Sequence, residues 1–172
     1  MVKYKHCPYC GGKLSYNDGY YLCLDCKKKT FTGSYPGVSV LPVKNGSVLI
    51  VKRARNPKKG TWDSIGGFLK EGESPEVAAL RETKEETGLN IKLTKLLGIY
   101  MDTYEYEGAI FETLNIYYVV EIKDGKISAQ DDVSGLVWFP IDKLPTKVGF
   151  KSFEKALLDL KKWYKAGRGA GN

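Results

Sequence analysis

Apolar positions in this chain recur with two different periods, and the switches between them mark the elements. Residues 38–43 and 47–53 are β-branched runs separated by Lys44, Asn45 and Gly46. Asn-Gly between such runs is a strong hairpin signal, so two antiparallel strands are expected. Longer strands are expected over 93–106 and 109–122, joined by a tight turn at Glu107 and Gly108. Asp124 and Gly125 read as a further turn, and 136–139 as a short strand. Ser74 followed by Pro75 reads as a helix start and Gly88 as its end. In 150–164, Phe153, Ala156, Leu157, Leu160 and Trp163 fall at helical spacing with lysines opposite. This second helix should pack on the sheet, its aromatic stripe serving as core.

The beginning of the chain follows neither period. Residues 5–29 hold all four cysteines and little aliphatic content, too little for an apolar core, so this module needs a staple. The punctuated stretch FTGSYPG, 31–37, is where composition turns strand-like. The expected division is therefore 1–32, 33–166 and a flexible tail over 167–172.

The cysteines suggest the staple. Cys7 and Cys10 form one CxxC pair, and Cys23 and Cys26 form another after twelve intervening residues. Two such knuckles supply four thiolates to tetrahedral Zn²⁺ and leave no open position, which makes the metal structural. Gly11 and Gly12 allow a tight turn after the first pair, and Tyr20 to Leu22 can form a ribbon strand. Two disulfides or an iron site are the competing uses of four sulfurs. His6, the chain's single histidine, reads as a surface residue beside a complete ligand set.

Charge and composition add limits. The formal charge of +7 over 172 residues favours anionic partners such as nucleotides or RNA. The lysines are scattered, however, so a plain solvated surface explains them equally well. The N-terminus lacks the apolar segment of a signal peptide, and no stretch is long enough to span a membrane; the longest apolar run, 116–122, is interrupted by Glu121. A cytoplasmic location is expected.

Candidate chemistry concentrates in residues 66–89, GGFLKEGESPEVAALRETKEETGL. On a helix Glu82, Glu85 and Glu86 share one face, where three like charges repel and call for cations. Hard oxygen ligands suit Mg²⁺ or Mn²⁺, which can bridge to phosphates and activate water. A solvated helix face is the alternative for these three residues alone. The longer pattern of Gly67, Glu73, Arg81, Glu82, Glu85, Glu86, Gly88 and Leu89 resembles the Nudix box at every charged and glycine position. Residues 53–62 (RARNPKKGTW) and 137–144 (VWFPIDKL) are similar to the family too, and the resemblance covers about 35–163. Two positions depart: Thr83, where the family has an aliphatic residue, and Ile65, where many relatives carry proline.

The resemblance implies an α/β fold, an α/β/α sandwich with a mixed sheet between helices, preceded here by a small Cys₄ zinc ribbon. It implies Glu85 and Glu86 as principal metal ligands, the Gly67 carbonyl as another, and Glu82 as a ligand or general base. It implies a Glu73–Arg81 ion pair that orients the catalytic helix, and a downstream acid for which Asp131 or Asp132 is the candidate. The expected activity is Mg²⁺-dependent cleavage of a phosphoanhydride in a nucleoside diphosphate linked to another moiety.

The arrangement of ribbon and Nudix domain is similar to that of the NADH pyrophosphatase group, although the SQPWPFP array of that group is missing after Leu89. ADP-ribose, NADH and dinucleoside polyphosphates remain as substrate classes. Tyr104 or Tyr106 lies where relatives carry a base-stacking tyrosine, and Arg53, Arg55 and Lys58 or Lys59 are candidates for phosphate contacts. A single histidine and four committed cysteines argue against a nucleophilic triad, and no Walker-type loop is present. An RNA-binding or RNA 5′-end-processing protein is the competing reading, and a homodimer stays open.

Overall fold

A computed structural model describes residues 4–169 and consists of a small three-stranded sheet followed by a larger one held between two helices. The small sheet comprises β1 (Leu14–Asn17), β2 (Tyr20–Cys23) and β3 (Lys29–Phe31), all antiparallel in sequence order. The rest of the chain gives β4 (Tyr35–Lys44), β5 (Ser47–Arg53), β6 (Trp62–Asp63), β7 (Ile65–Phe68), α1 (Pro75–Thr87), β8 (Asn90–Tyr106), β9 (Ala109–Asp124), β10 (Val133–Pro140) and α2 (Lys151–Gly169).

The larger sheet runs β10-β5-β4-β9-β8, with β6 added on β5 and β7 on β4. It is mixed: β4 and β9 are parallel while the other pairs are antiparallel. Strand alternation divides its side chains between two cores. Leu49 and Val51 on β5 and Tyr118 and Val120 on β9 face one cluster, where α1 contributes Ala78 and Ala79. Val48, Ile50, Tyr117 and Val119 face the other, closed by Phe153, Ala156, Leu157 and Leu160 of α2. The expected sandwich with a mixed sheet between helices is the fold that forms.

Several bounds differ from expectation for local reasons. β4 begins at Tyr35, inside the stretch read as a connection, because Tyr35 to Asn-paired Gly37 run parallel to Thr113, Leu114 and Asn115. Pro36 is tolerated there because it stands at the end of the β4–β7 ladder, where its carbonyl still accepts from the Leu69 N–H at 3.1 Å and only one terminal bond is forgone. The glycine pair before α1 is itself strand: Gly66 and Gly67 pair with Ser39 and Val38. α2 continues through Gly167 to Gly169, and residues 170–172 of the expected tail lie outside the described residues.

The first helix begins and ends as its sequence suggests. The Ser74 hydroxyl accepts from the Val77 N–H at 3.3 Å, and Gly88 caps the other end at φ 72°. Thr83 is fully buried, and its hydroxyl donates to the Ala79 carbonyl at 2.6 Å, so the polar group is satisfied within the helix. Ile65 is also fully buried, adding to the α1-side core. No helix among the described residues is long and apolar enough to cross a membrane.

Candidate active site and cysteine cluster

One end of α1 faces β7 across a cleft of about 410 Å³. The cleft gathers Glu82, Glu85, Glu86, Arg81, Gly67, Arg53, Tyr104, Asp131 and Asp132. Glu73 sits behind it, against Arg81, and Arg55 reaches the rim through its acidic partners.

Arg81 organises the carboxylates. Its Nε and Nη2 donate to the two Glu73 oxygens at 2.7 and 2.8 Å, a two-pronged pair that fixes the guanidinium plane. Its Nη1 donates to Glu82 Oε1 at 2.6 Å and Glu85 Oε2 at 3.0 Å. These bonds, with a further one from the Lys70 N–H, hold the Glu73 carboxyl down at about 2. The same partners raise Arg81 above its ordinary range.

Glu86 lies deeper. Only 7% exposed, it accepts from the Gly66 N–H at 3.0 Å. Burial pushes its carboxyl up to about 8, against that hydrogen bond and with help from the nearby charges of Glu82, Asp63 and Asp132. Burial also raises Glu82, opposed by Arg81. Lys70 Nζ approaches Glu85 at 4.0 Å on the exposed side.

The backbone opposite is shaped for close approach. At Gly66, with φ 148°, a Cβ would stand 2.0 Å from the Val38 carbonyl oxygen. At Gly67 it would stand 2.6 Å from Glu82 Oε1, so the absence of a side chain lets the Glu82 carboxylate reach the strand. Carboxylates on one helix face beside the Gly67 backbone are hard oxygen donors of the kind that suits Mg²⁺ or Mn²⁺. Their side chains rest on Arg81 and on the Gly66 N–H.

The other expected residues divide. Arg53 is partly buried, its Nη1 donating to Asp63 at 2.9 Å and its guanidinium over the Phe150 ring at 5.1 Å. Arg55 is exposed and pairs with Asp132 at 2.7 Å and Asp131 at 3.7 Å. Lys58 lines a separate hollow beside Tyr106. Tyr104 stands edge-on to Phe68 at 5.4 Å and stacks on Phe150 at 5.8 Å, which gives the cleft an aromatic wall.

Sequence reading missed Asp63, Phe68 and Phe150. Asp63 is 7% exposed, and burial raises its carboxyl against the Arg53 charge. Its signal was a carboxylate inside the short apolar run Trp62 to Ile65. Phe150 opens the expected second helix and Phe68 lies in the stretch before the first; no sequence signal distinguishes them.

In the small N-terminal module the four cysteine sulfurs lie within 4.8 Å of one another, the only such ligand group among the described residues. Cys7 and Cys26 sulfurs are 3.7 Å apart, and those of Cys10 and Cys23 are 3.5 Å apart. A disulfide needs about 2 Å. A tetrahedron with Zn–S bonds of about 2.3 Å has edges of about 3.8 Å. The spacing therefore fits a tetrahedral metal. The Cys26 N–H donates to the Cys23 sulfur at 3.4 Å and draws that thiol down to about 6, while the surrounding cysteine sulfurs, against a Gly12 hydrogen bond, push Cys10 up to about 12.

Comparison with known proteins agrees with this layout. The NUDIX domain family model matches residues 33–160. The chain is 35% identical over 132 residues to an ADP-ribose pyrophosphatase of Methanocaldococcus jannaschii, covering 75% of each chain. It is 25% identical over 158 residues to the NAD-capped RNA hydrolase NudC of Vibrio atlanticus, 90% of this chain but 56% of that one. The chain thus spans little more than half the length of that relative. A NUDIX hydrolase structure from Nitrosomonas europaea superposes with a TM-score of 0.77 over 98% of this chain and 94% of its own, at 23% identity, a likeness of fold.

Proposed function

Because the chain belongs to the NUDIX domain family, as the match over residues 33–160 establishes, we propose that it is a divalent-metal-dependent pyrophosphohydrolase acting on nucleoside diphosphates linked to a second moiety, ADP-ribose first among them. The observation that carries this reading is the carboxylate face of α1, set against Gly66 and Gly67 with Glu86 buried. Water adds to one phosphorus, the bridging P–O bond breaks, and two phosphate monoesters leave.

A Mg²⁺ or Mn²⁺ ion held by Glu85, Glu86 and the Gly67 carbonyl, with Glu82 a further ligand where it is not the base, would neutralise phosphate charge and lower the pKa of a bound water. The chain's own groups do the rest. Glu82, raised by burial, is suited to take the proton from the attacking water. Glu73 fixes Arg81, and Arg81 orients the carboxylates. Tyr104 offers its ring to a base; Arg53 and Lys70 provide positive charge along the phosphate path, Arg55 lies outside the cleft on Asp131 and Asp132, and Asp132 is the better placed of the two downstream acids.

We read residues 1–32 as a zinc ribbon with Cys7, Cys10, Cys23 and Cys26 as ligands, and 33–166 as the catalytic domain. The likeness to NudC over 90% of this chain supports a second substrate class, RNA carrying a nucleotide cap. Incubation with Mg²⁺ and a panel of ADP-ribose, NADH, dinucleoside polyphosphates and capped RNA, with Glu85→Gln as control, tests both. Mutant-sensitive cleavage of ADP-ribose is expected. No cleavage of any member would overturn the reading.

A further inference from the structure

Away from the helix carboxylates, the floor of the cleft has a hollow. The parallel pairing of β4 with β9 sets Gly37 beside Asn115, and the antiparallel pairing of β4 with β7 sets Phe68 on the other side. A Cβ on Gly37 would stand 3.1 Å from Asn115 Oδ1, 3.5 Å from the Gly67 carbonyl oxygen and 4.0 Å from the Phe68 ring. Gly37 is not left-handed, so its backbone would accept a side chain and the missing Cβ matters for space alone. The hollow opens into the cleft, which Gly37, Gly67, Phe68, Asp102 and Asn115 all line.

Asn115 is held in one orientation. Its Nδ2 donates to Thr113 Oγ1 at 2.9 Å and to the Tyr100 carbonyl at 3.4 Å, and the Thr113 hydroxyl gives its own proton to the Asp102 carbonyl at 3.2 Å. Both partners of the amide are thereby acceptors. Turning the amide over would set its oxygen against the Tyr100 carbonyl. Oδ1 therefore faces the hollow, where it accepts no hydrogen bond from the described residues. Asp102 lies opposite Thr113 on β8 and adds a carboxylate to the same face; its oxygens accept from the Thr103 and Ser152 N–H groups, and each keeps a lone pair.

The polar atoms nearest the hollow are thus acceptors, and they select what can sit there. Phosphate oxygens are acceptors themselves and are repelled. The amine of a base would bring ring nitrogens, also acceptors, against the Gly67 carbonyl and Asp102. A sugar hydroxyl carries one proton that rotates to meet Oδ1.

We propose that Asn115 is a specificity-determining residue whose Oδ1 accepts from a ribose hydroxyl of the nucleoside with its base on Tyr104, Gly37 providing the room. The proposal rests on reading the cleft as a nucleotide site and names the sugar it takes, ribose in preference to deoxyribose. A site built to hydrogen-bond a hydroxyl discriminates against the analogue that lacks it.

Calorimetric titration of the full chain with AMP, 2′-deoxy-AMP, 3′-deoxy-AMP and IMP measures binding without turnover. AMP should bind about tenfold more tightly than at least one deoxy nucleotide, and IMP should match AMP. Asn115→Ala removes the acceptor; Gly37→Ala fills the hollow and leaves the Thr113 hydrogen bonds alone. Each should weaken AMP about tenfold, spare the sensitive deoxy nucleotide and so erase the preference. In steady-state hydrolysis of ADP-ribose, KM should rise about tenfold in both variants with kcat within about twofold of wild type. Equal binding of AMP and both deoxy nucleotides, a preference that survives both variants, or a loss confined to IMP would each overturn the proposal. A variant-sensitive preference without hydrolysis of any phosphoanhydride would overturn the enzyme reading and leave the ribose subsite standing; hydrolysis without the preference would do the reverse.

Discussion

The chain holds two groups of metal-type ligands, and they are prepared in opposite ways. The cysteine sulfurs already stand at tetrahedral spacing, within 4.8 Å of one another. The carboxylates of α1 instead rest on Arg81 and on the Gly66 N–H, and burial drives Glu86 up to about 8. Soft ligands on tight knuckles close around a metal and hold the fold. Hard ligands kept on a guanidinium remain open to exchange with a cation and a phosphate. On the proposed reading, the difference separates a staple from a working site.

The largest effect should come from breaking the open site. Glu85→Gln and Glu86→Gln should each lower kcat on ADP-ribose on the order of a hundredfold to a thousandfold, measured by AMP release at saturating Mg²⁺. Retention of wild-type rates in both would refute the metal assignment. Arg81→Lys keeps the charge but loses the two-pronged contact with Glu73, and should cost roughly ten- to a hundredfold in kcat. Circular dichroism should show an intact fold. Next, Tyr104→Ala should raise KM about tenfold while sparing kcat, if the ring serves the base and not the packing of Phe150.

The closed group sharpens the contrast from the other side. Cys23→Ser should remove the bound zinc, read by metal analysis, and destabilise the small sheet, yet change ADP-ribose turnover little. A mutant that keeps one equivalent of zinc would count against the ribbon.

A smaller effect appears in the pH dependence of stability without divalent metal. The Glu86 carboxyl is raised in the folded chain, so the folded state binds the extra proton between the ordinary value of 4.5 and about 8. Its contribution is complete below that window and is lost as pH rises through it. Thermal midpoints should therefore fall from about pH 5 to pH 8, and Glu86→Gln should flatten the slope. Glu73 works in the opposite direction: its carboxyl is held at about 2, so its contribution is present above 4.5 and is lost as pH falls toward 2.

Much of this was legible in the chain because the signals are local. Asn45-Gly46, Ser74-Pro75 and Gly88 each state their turn or cap within a few residues, and each sits where the elements change. The helix carboxylates and the two CxxC pairs announce themselves by spacing. What was not legible depends on distant partners. Asp63 becomes significant only because β6 brings it beside Arg53 and near Glu86. Phe150 meets Tyr104 only once α2 and β8 are placed together. The strand at Gly66 and Gly67 exists because Val38 and Ser39 pair with it, against the glycines' own weak preference.

One measurement bears most directly on the account. Titration of Mg²⁺ into wild type and Glu86→Gln, with AMP release from ADP-ribose as readout, should give saturable activation in the first and near-background turnover in the second. Equal turnover by both proteins, or turnover indifferent to Mg²⁺ and Mn²⁺, would contradict it.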